Sequence, residues 1–159
     1  MRDADFESLY EREAQALYAF LAYRTGDRAL AEDLLADTFE RALRSRKRYD
    51  ARKGSQRTWL YAIAMNLLRD HARRAAAEGR AVERVGHPVP SGPEALESVE
   101  RRDELQRPLA TLAEEEREAI ALRFGADLTV PEIAQLLGEP LTTVEGRVYR
   151  ALRKLRERL

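Results

Sequence analysis

The spacing of hydrophobic residues predicts helices along the whole chain. Apolar side chains recur every three or four residues, and no alternating stretch is long enough to indicate a strand. A first helix is predicted at about residues 5–23 and ended by Gly26, and Asp27 is placed to cap a second helix that ends near Ser45. The inward positions of these two helices are Phe6, Leu9, Tyr10, Ala14, Leu17, Tyr18, Leu21, Leu30, Leu34, Phe39 and Leu43.

A third helix is predicted at residues 58–78, after a basic loop at 46–57, and its two faces differ in chemistry. Rings, an amide and guanidinium groups share one face, which suits unpaired DNA because bases are held by stacking and the backbone by charge. A solvated basic face without a ligand is the alternative. The apolar stripe is Trp59, Leu60, Ile63, Leu67 and Leu68, and the other face carries Tyr61, Met65, Asn66, Arg69, Asp70, Arg73 and Arg74.

The C-terminal pattern is typical of a helix-turn-helix. Thr129 and Glu132 have the spacing of a capping box, and they open a short predicted helix at 130–137 that Gly138 closes. A second capping box at 142–145 opens a longer basic helix. A purely structural pair of helices is the alternative. The residues spaced to pack the two helices together are Ile133, Ala134, Leu137, Leu141, Val144 and Val148.

Residues 86–93, GHPVPSGP, are rich in Pro and Gly and favour a linker rather than a helix or strand. Helical pattern resumes after it, at about 93–109 and 113–124. The expected fold class is therefore all-α, with two small helical domains. Their predicted bounds are residues 1–78 and 94–159, joined by a flexible linker at 79–93.

Charge is distributed in blocks, although the chain has a formal net charge of zero. Residues 1–40 carry a net −6 and residues 41–74 a net +9, whereas residues 75–137 carry −6 and residues 138–159 carry +3. Two basic segments, each preceded by an acidic one, indicate two contacts with a polyanion and two further surfaces facing something else.

Composition argues against catalysis and membrane insertion. The chain has no cysteine, and His71 and His87 lack the spacing of metal ligands. No Gly-rich phosphate loop or carboxylate cluster indicates a catalytic site or a cofactor. No apolar run approaches the length of a membrane span, and the acidic N-terminus does not have the form of a signal peptide.

Three segments, in this order, resemble a bacterial sigma factor of the extracytoplasmic-function (ECF) group. They are AEDLLADTFERAL (31–43), RTWLYAIAMNLLRDHARR (57–74) and LTVPEIAQLLGEPLTTVEGRVYRALRKL (128–155). This group is the minimal sigma-70 form, with conserved regions 2 and 4 joined by a linker. The chain departs from the family pattern at Ala36 and Leu43, so its polymerase interface is not the consensus one. It also departs at Glu145 and Gly146, which leaves the exact −35 sequence open.

The resemblance implies three sets of site residues. The helix matching 31–43 would dock on core RNA polymerase, through Asp33, Leu34, Asp37, Thr38, Phe39 and Arg41, and whether Leu34 and Phe39 lie in the core or on this surface is left open. The third helix and the loop before it would open the promoter −10 element, through Tyr49, Ser55, Arg57, Tyr61, Asn66, Arg69, Asp70, Arg73 and Arg74. The last helix would enter the major groove at the −35 element, through Thr142, Thr143, Glu145, Gly146, Arg147, Tyr149, Arg150 and Lys154. For Trp59 two alternatives stay open, melted DNA and core packing, and its place on the apolar stripe favours the core.

The resemblance thus implies a transcription initiation factor without enzymatic activity, cofactor or metal. Its expected partners are core RNA polymerase, promoter DNA and an anti-sigma factor, and it is expected to be cytoplasmic and monomeric when free. The alternative is a stand-alone helix-turn-helix regulator whose N-terminal helices sense a signal or dimerise.

Overall fold

The computed structural model describes residues 1–79 and 109–158, and the chain divides into two compact units, Met1–His87 and Pro88–Leu159. The described residues form helices and no strand, so the predicted all-α fold class is confirmed. No helix in these two ranges is long and apolar enough to cross a membrane. Nearly all of the predicted linker and the predicted helix at 93–109 lie outside the described residues, and the domain bounds stay a prediction.

Unit 1 contains three long helices: α1 (Asp3–Thr25), α2 (Arg28–Ser45) and α3 (Gln56–Ala77). The helices end where the sequence predicts. Gly26 closes α1 with a φ of 68°, a conformation that a residue without Cβ adopts at little cost, and its N–H donates to Ala22 O at 2.9 Å. The Asp27 carboxylate caps α2 by accepting from Leu30 N at 3.1 Å.

The core of unit 1 is built from all three helices. Leu17, Leu21 and Leu60 are fully buried, and each contributes about 1.5–3 kcal/mol by leaving water. The rings of Phe20 and Tyr61 meet edge to face with their centroids 5.5 Å apart, which joins α1 to α3.

Two predicted inward positions of unit 1 are wrong. Tyr10 and Leu43 are 50% and 41% exposed. The buried stripe of α1 instead includes Glu13 and Phe20, so Tyr10 lies at its edge. There its ring packs on Phe39 of α2, with the centroids 4.8 Å apart.

Unit 2 contains α4 (Glu114–Ile120), a π turn at Ala121–Gly125, α5 (Val130–Leu137) and α6 (Leu141–Arg158). The first predicted capping box is confirmed, since Thr129 Oγ1 accepts from Glu132 N and Glu132 Oε1 accepts from Thr129 N.

The second predicted capping box of unit 2 is wrong. The helix α6 begins at Leu141, and its first turn bonds to the carbonyl of Pro140, so Thr142 and Glu145 lie inside the helix. Leu141, predicted to face the core, is 44% exposed.

Four of the six residues predicted to pack the helix-turn-helix together are buried, namely Ile133 and Ala134 of α5 and Val144 and Val148 of α6. Leu137 is half-buried. Gly138 has a φ of 66°, and it closes α5 before the turn. Because α5 ends sharply, the chain reverses within a few residues and α6 crosses over it.

An ion pair joins α4 to α6. Lys154 Nζ donates to Glu116 Oε1 at 2.6 Å, and the same oxygen accepts from Ala113 N at 3.0 Å. Burial raises the pKa of Glu116, but the bonds from Lys154 and Ala113, with the charges of Lys154 and Arg150, outweigh it and hold the pKa below its ordinary value. The carboxyl is therefore charged, and it stabilises unit 2 only while it stays charged.

We expect Lys154→Met to lower the free energy of unfolding of unit 2 by about 1–3 kcal/mol, because it leaves the buried Glu116 charge uncompensated. The partial exposure of Lys154 keeps this below the cost for a fully buried pair. Thermal unfolding followed by circular dichroism measures the loss, and Arg156→Met, an exposed change on the same helix, is the control. Since the folded pKa is depressed, this stability is present above pH 4.5, the ordinary pKa, and is lost as the pH falls through the folded pKa. A pH dependence unchanged by Glu116→Gln would contradict this.

Candidate polymerase and nucleic-acid interfaces

The outward face of α2 carries only half of the six residues assigned to polymerase binding. Asp33, Asp37 and Arg41 are exposed and follow one another at four-residue spacing. Thr38 is fully buried, and its hydroxyl donates to Leu34 O at 2.6 Å. Leu34, Thr38 and Phe39 therefore belong to the core of unit 1. For Leu34 and Phe39 this decides the open alternative in favour of the core, and for Thr38 it contradicts a place on the exposed face.

Tyr49 and Trp59 form an aromatic pair beside the basic loop. Their ring centroids lie 5.3 Å apart with the planes tilted by 56°, and the Tyr49 hydroxyl donates to Gly54 O at 2.9 Å. Trp59 is half-buried, so its assignment to the core is only partly right. One ring of the pair is anchored to the loop and the other to the start of α3.

The exposed part of α3 extends toward its C-terminal end. Asn66, Arg73 and Arg74 are exposed, whereas Arg69 and Asp70 are half-buried. Asp70 accepts from Arg73 at 2.6 Å, one helical turn away. This face offers an amide and guanidinium groups to a ligand, as the sequence predicts.

Tyr61, by contrast, is fully buried, and the prediction that it lies on this face is wrong. Its hydroxyl has no hydrogen-bond partner among the described residues. Burial, followed by the charge of Glu13, raises the pKa of Tyr61 to about 12, against an opposing effect of Arg57. Tyr61 is thus a neutral core residue, as is its neighbour one turn on, Met65.

Two further predicted −10 residues are engaged within unit 1. The Ser55 hydroxyl caps α3 by accepting from Thr58 N at 3.1 Å. Arg57 Nε lies 3.3 Å from Glu13 Oε2, and Glu13 is 8% exposed. The guanidinium of Arg57 is therefore ion-paired with α1 while its side chain is 35% exposed, and its predicted contact with DNA stays a prediction.

The first half of α6 presents the predicted −35 residues unequally. Tyr149 is the most exposed of them at 68%, and Thr142, Glu145 and Arg150 are also exposed, whereas Thr143 and Gly146 are half-buried. Arg150 lies back along the helix, since its Nη1 is 3.0 Å from the point that a Cβ on Gly146 would occupy.

Two basic residues assigned to −35 contacts form ion pairs within unit 2. Arg147 pairs with Glu139, in the turn before α6, and both side chains are less than a quarter exposed. Lys154 pairs with Glu116 of α4. The exposed residues of the predicted −35 set are therefore Thr142, Glu145, Tyr149 and Arg150.

Sequence reasoning missed the three carboxylates that hold these cations: Glu13, Glu116 and Glu139. Glu13 and Glu116 are 44 and 38 residues from their partners, so no helical spacing could reveal them. The described residues also contain no group of three side chains suited to hold a metal ion.

Comparison with known proteins gives two family matches along the chain. Residues 9–78 match sigma-70 region 2, and residues 102–155 match sigma-70 region 4.

Several curated proteins are similar over most of this chain. RNA polymerase sigma factor CarQ of Myxococcus xanthus is 35% identical, over 97% of this chain and 88% of its own length. ECF RNA polymerase sigma factor SigC of Mycobacterium tuberculosis is 33% identical, over 91% and 78%. ECF RNA polymerase sigma factor BldN of Streptomyces coelicolor is 31% identical over 94% of this chain, but the chain spans only 58% of that protein.

Two solved structures have a similar fold. The sigma factor RpoE, in complex with the anti-sigma factor NepR from Bartonella quintana, has a TM-score of 0.77 at 25% identity, covering 96% of this chain and 95% of that one. CnrH, in complex with the cytosolic domain of CnrY, has a TM-score of 0.70 at 25% identity, covering 98% and 88%.

We expect Tyr61→Phe to leave the free energy of unfolding of unit 1 unchanged or raised, within about 1 kcal/mol, because it removes a buried hydroxyl that has no partner. Denaturant unfolding followed by the fluorescence of Trp59, the single tryptophan, measures this. Tyr61→Ala is the comparison and should cost about 3–5 kcal/mol as a buried aromatic truncation. A large loss with Tyr61→Phe would show that the hydroxyl is bonded.

Proposed function

The chain belongs to the ECF sigma factors of the sigma-70 family, and we propose that it directs core RNA polymerase to specific promoters and helps to open the −10 element. The observation that carries this is the order of the matches, region 2 followed by region 4 in one chain. The helix-turn-helix of unit 2, with Tyr149 and Arg150 exposed on its second helix, supports it.

Promoter recognition is divided between the two units. In unit 1, the Tyr49–Trp59 pair and the exposed end of α3 around Asn66 hold the opened −10 strand, because rings and amides bind unpaired bases. In unit 2, α6 enters the major groove at the −35 element. There Arg150 and Tyr149 contact the duplex, whereas Arg147 stabilises the turn.

The polymerase surface of unit 1 is the exposed face of α2. Asp33, Asp37 and Arg41 project from one side of a helix whose other side is core. Charges held on a rigid helix make a surface that is specific for a partner of complementary charge. The acidic N-terminal block thus faces the enzyme, and the basic segments face DNA.

The remaining partners and conditions follow from the family. An anti-sigma factor is a further partner, which the complexes of RpoE and CnrH support. The protein works in the cytoplasm, as a monomer when free, without cofactor, metal or catalytic activity of its own. A stand-alone helix-turn-helix regulator is not favoured, because it leaves the region 2 match of unit 1 without a role.

In vitro transcription with core polymerase on a randomised promoter library tests the function. We expect transcripts only with both proteins present, from templates that share two short elements. A gel shift separates the alternative, since a stand-alone regulator binds its DNA without polymerase. Specific binding by the chain alone, with no transcription after core is added, would refute the proposal.

Reversing Asp33 and Asp37 to Lys is expected to weaken binding to core polymerase by at least tenfold and to leave the fold intact, because exposed substitutions seldom change stability by more than about 0.5 kcal/mol. Affinity for core is measured by fluorescence anisotropy, and folding by circular dichroism. The double reversal Glu7→Lys, Glu11→Lys on the exposed side of α1 makes the same change of charge and is the control. Equal loss in both variants would indicate a general charge effect rather than this surface.

Arg150→Ala and Asn66→Ala should impair different steps. Arg150→Ala should weaken the closed complex by about 1–3 kcal/mol, as expected for an arginine bonded to a guanine. Asn66→Ala should leave the closed complex nearly intact and reduce opening on a duplex promoter, but not on a template melted beforehand. Footprinting of the −35 element and permanganate reactivity of unpaired thymines measure the two steps. Arg153→Ala removes the same charge from α6 and is the control; the division is wrong if Asn66→Ala abolishes the closed complex.

A further inference from the structure

The start of α3 is held to α1 by two adjacent side-chain bridges. Arg12 donates to Gln56 Oε1 at 3.0 Å. Glu13 Oε2 lies 3.3 Å from Arg57 Nε, an ion pair in which these two atoms do not have hydrogen-bond geometry. Arg12 and Glu13 are consecutive in α1, and Gln56 and Arg57 are the first two residues of α3. The two helices are therefore clamped in the turn that follows the basic loop.

The two bridges differ in burial, and burial decides which of them contributes more to holding α1 against α3. The Arg12–Gln56 bond is exposed and contributes little. The Glu13 side chain is 10% exposed, with Arg57 at 35%. A buried carboxylate is costly unless a cation is beside it, so Glu13 and Arg57 depend on each other. Tyr61, which also faces Glu13, is neutral and cannot replace the cation.

The clamp lies directly below the surface assigned to the −10 element. Ser55, which caps α3, precedes Gln56, and Trp59, which packs on Tyr49 of the loop, comes two residues after Arg57. A shift of the first turn of α3 thus moves both rings of the aromatic pair and the end of the basic loop. Glu13 itself is buried.

We propose that Glu13 is a positioning residue for promoter opening. It does not contact DNA; by pairing with Arg57 it fixes the first turn of α3, and with it the Tyr49–Trp59 pair and the loop that receive the opened strand. Arg57 acts through the same pair rather than as a phosphate ligand. This inference rests on the proposed function of unit 1.

The test is a double-mutant cycle in the full chain with core polymerase. Glu13→Gln keeps the shape of the side chain and removes its charge, Arg57→Gln removes the partner, and Glu11→Gln on the exposed side of α1 is the matched control. Permanganate reactivity of a duplex promoter reports opening, footprinting reports −35 occupancy, and circular dichroism reports folding.

We expect Glu13→Gln and Arg57→Gln each to reduce opening about tenfold, with −35 occupancy unchanged. Because both act through one pair, the double variant should be no worse than either single one. A template melted beforehand should restore most of the activity, and Glu11→Gln should behave as the wild type. The reciprocal exchange Glu13→Arg, Arg57→Glu should recover part of the opening if the pair itself is what matters.

The inference fails if Glu13→Gln opens the promoter normally, or if Arg57→Gln is defective by itself and additive with Glu13→Gln, which is the behaviour of a direct DNA contact. If a variant loses its helical circular dichroism signal, Glu13→Asp takes its place in the cycle. This change keeps the negative charge, so the inference requires that it still opens the promoter. Failure of the proposed function has a different result, since the wild-type chain would then open no promoter with core polymerase.

Discussion

Burying a carboxylate constrains both units of this protein in the same way. Glu13 in unit 1 and Glu116 in unit 2 are 8% and 4% exposed, and each lies against a cation from a neighbouring helix. A buried charge without its partner destabilises a fold by several kcal/mol, so each carboxylate fixes where its cation lies. The cations belong to α3 and α6, the two helices that carry the candidate DNA surfaces. The positions of both helices thus depend on buried ion pairs within each unit.

The small size of the units explains why such pairs are useful. A unit with three helices has a thin core, and apolar packing alone tolerates sliding and rotation of one helix against another. A charged pair between two helices has a narrow range of favourable distances. It therefore restricts how one helix can slide or rotate against the other. In unit 2 the bond from Ala113 N, at the start of α4, and the bond from Lys154 of α6 share one oxygen of Glu116. Glu116 therefore stabilises both the start of α4 and the orientation of α6.

Where the determinants are local, sequence reasoning placed most helix ends correctly, the capping box predicted at 142–145 excepted. The ends of α1 at Gly26, of α5 at Gly138 and the box at Thr129 depend on residues within one turn, and the structure has them as predicted. It failed on the rotation of α3, because apolar residues occupy much of the circumference of that helix. Hydrophobicity alone favours Trp59 for the core, but the edge-to-face contact with Phe20 places Tyr61 there instead. That contact joins residues 41 apart, and no local pattern contains it.

The difference between local sequence and tertiary contacts also separates the basic residues of α6. Arg147, Arg150 and Lys154 look equivalent in sequence, as cations on a helix that follows a turn. The structure separates them by what lies opposite: Glu139 beside Arg147, Glu116 beside Lys154, and the bare backbone of Gly146 beside Arg150. Glycine lowers helix stability by up to about 1 kcal/mol relative to Ala. The guanidinium of Arg150 lies beside the position that a Cβ on Gly146 would occupy. It is not paired with Glu139 or Glu116, the partners of Arg147 and Lys154. The residue that weakens the helix is thus the one that leaves a cation available at its surface.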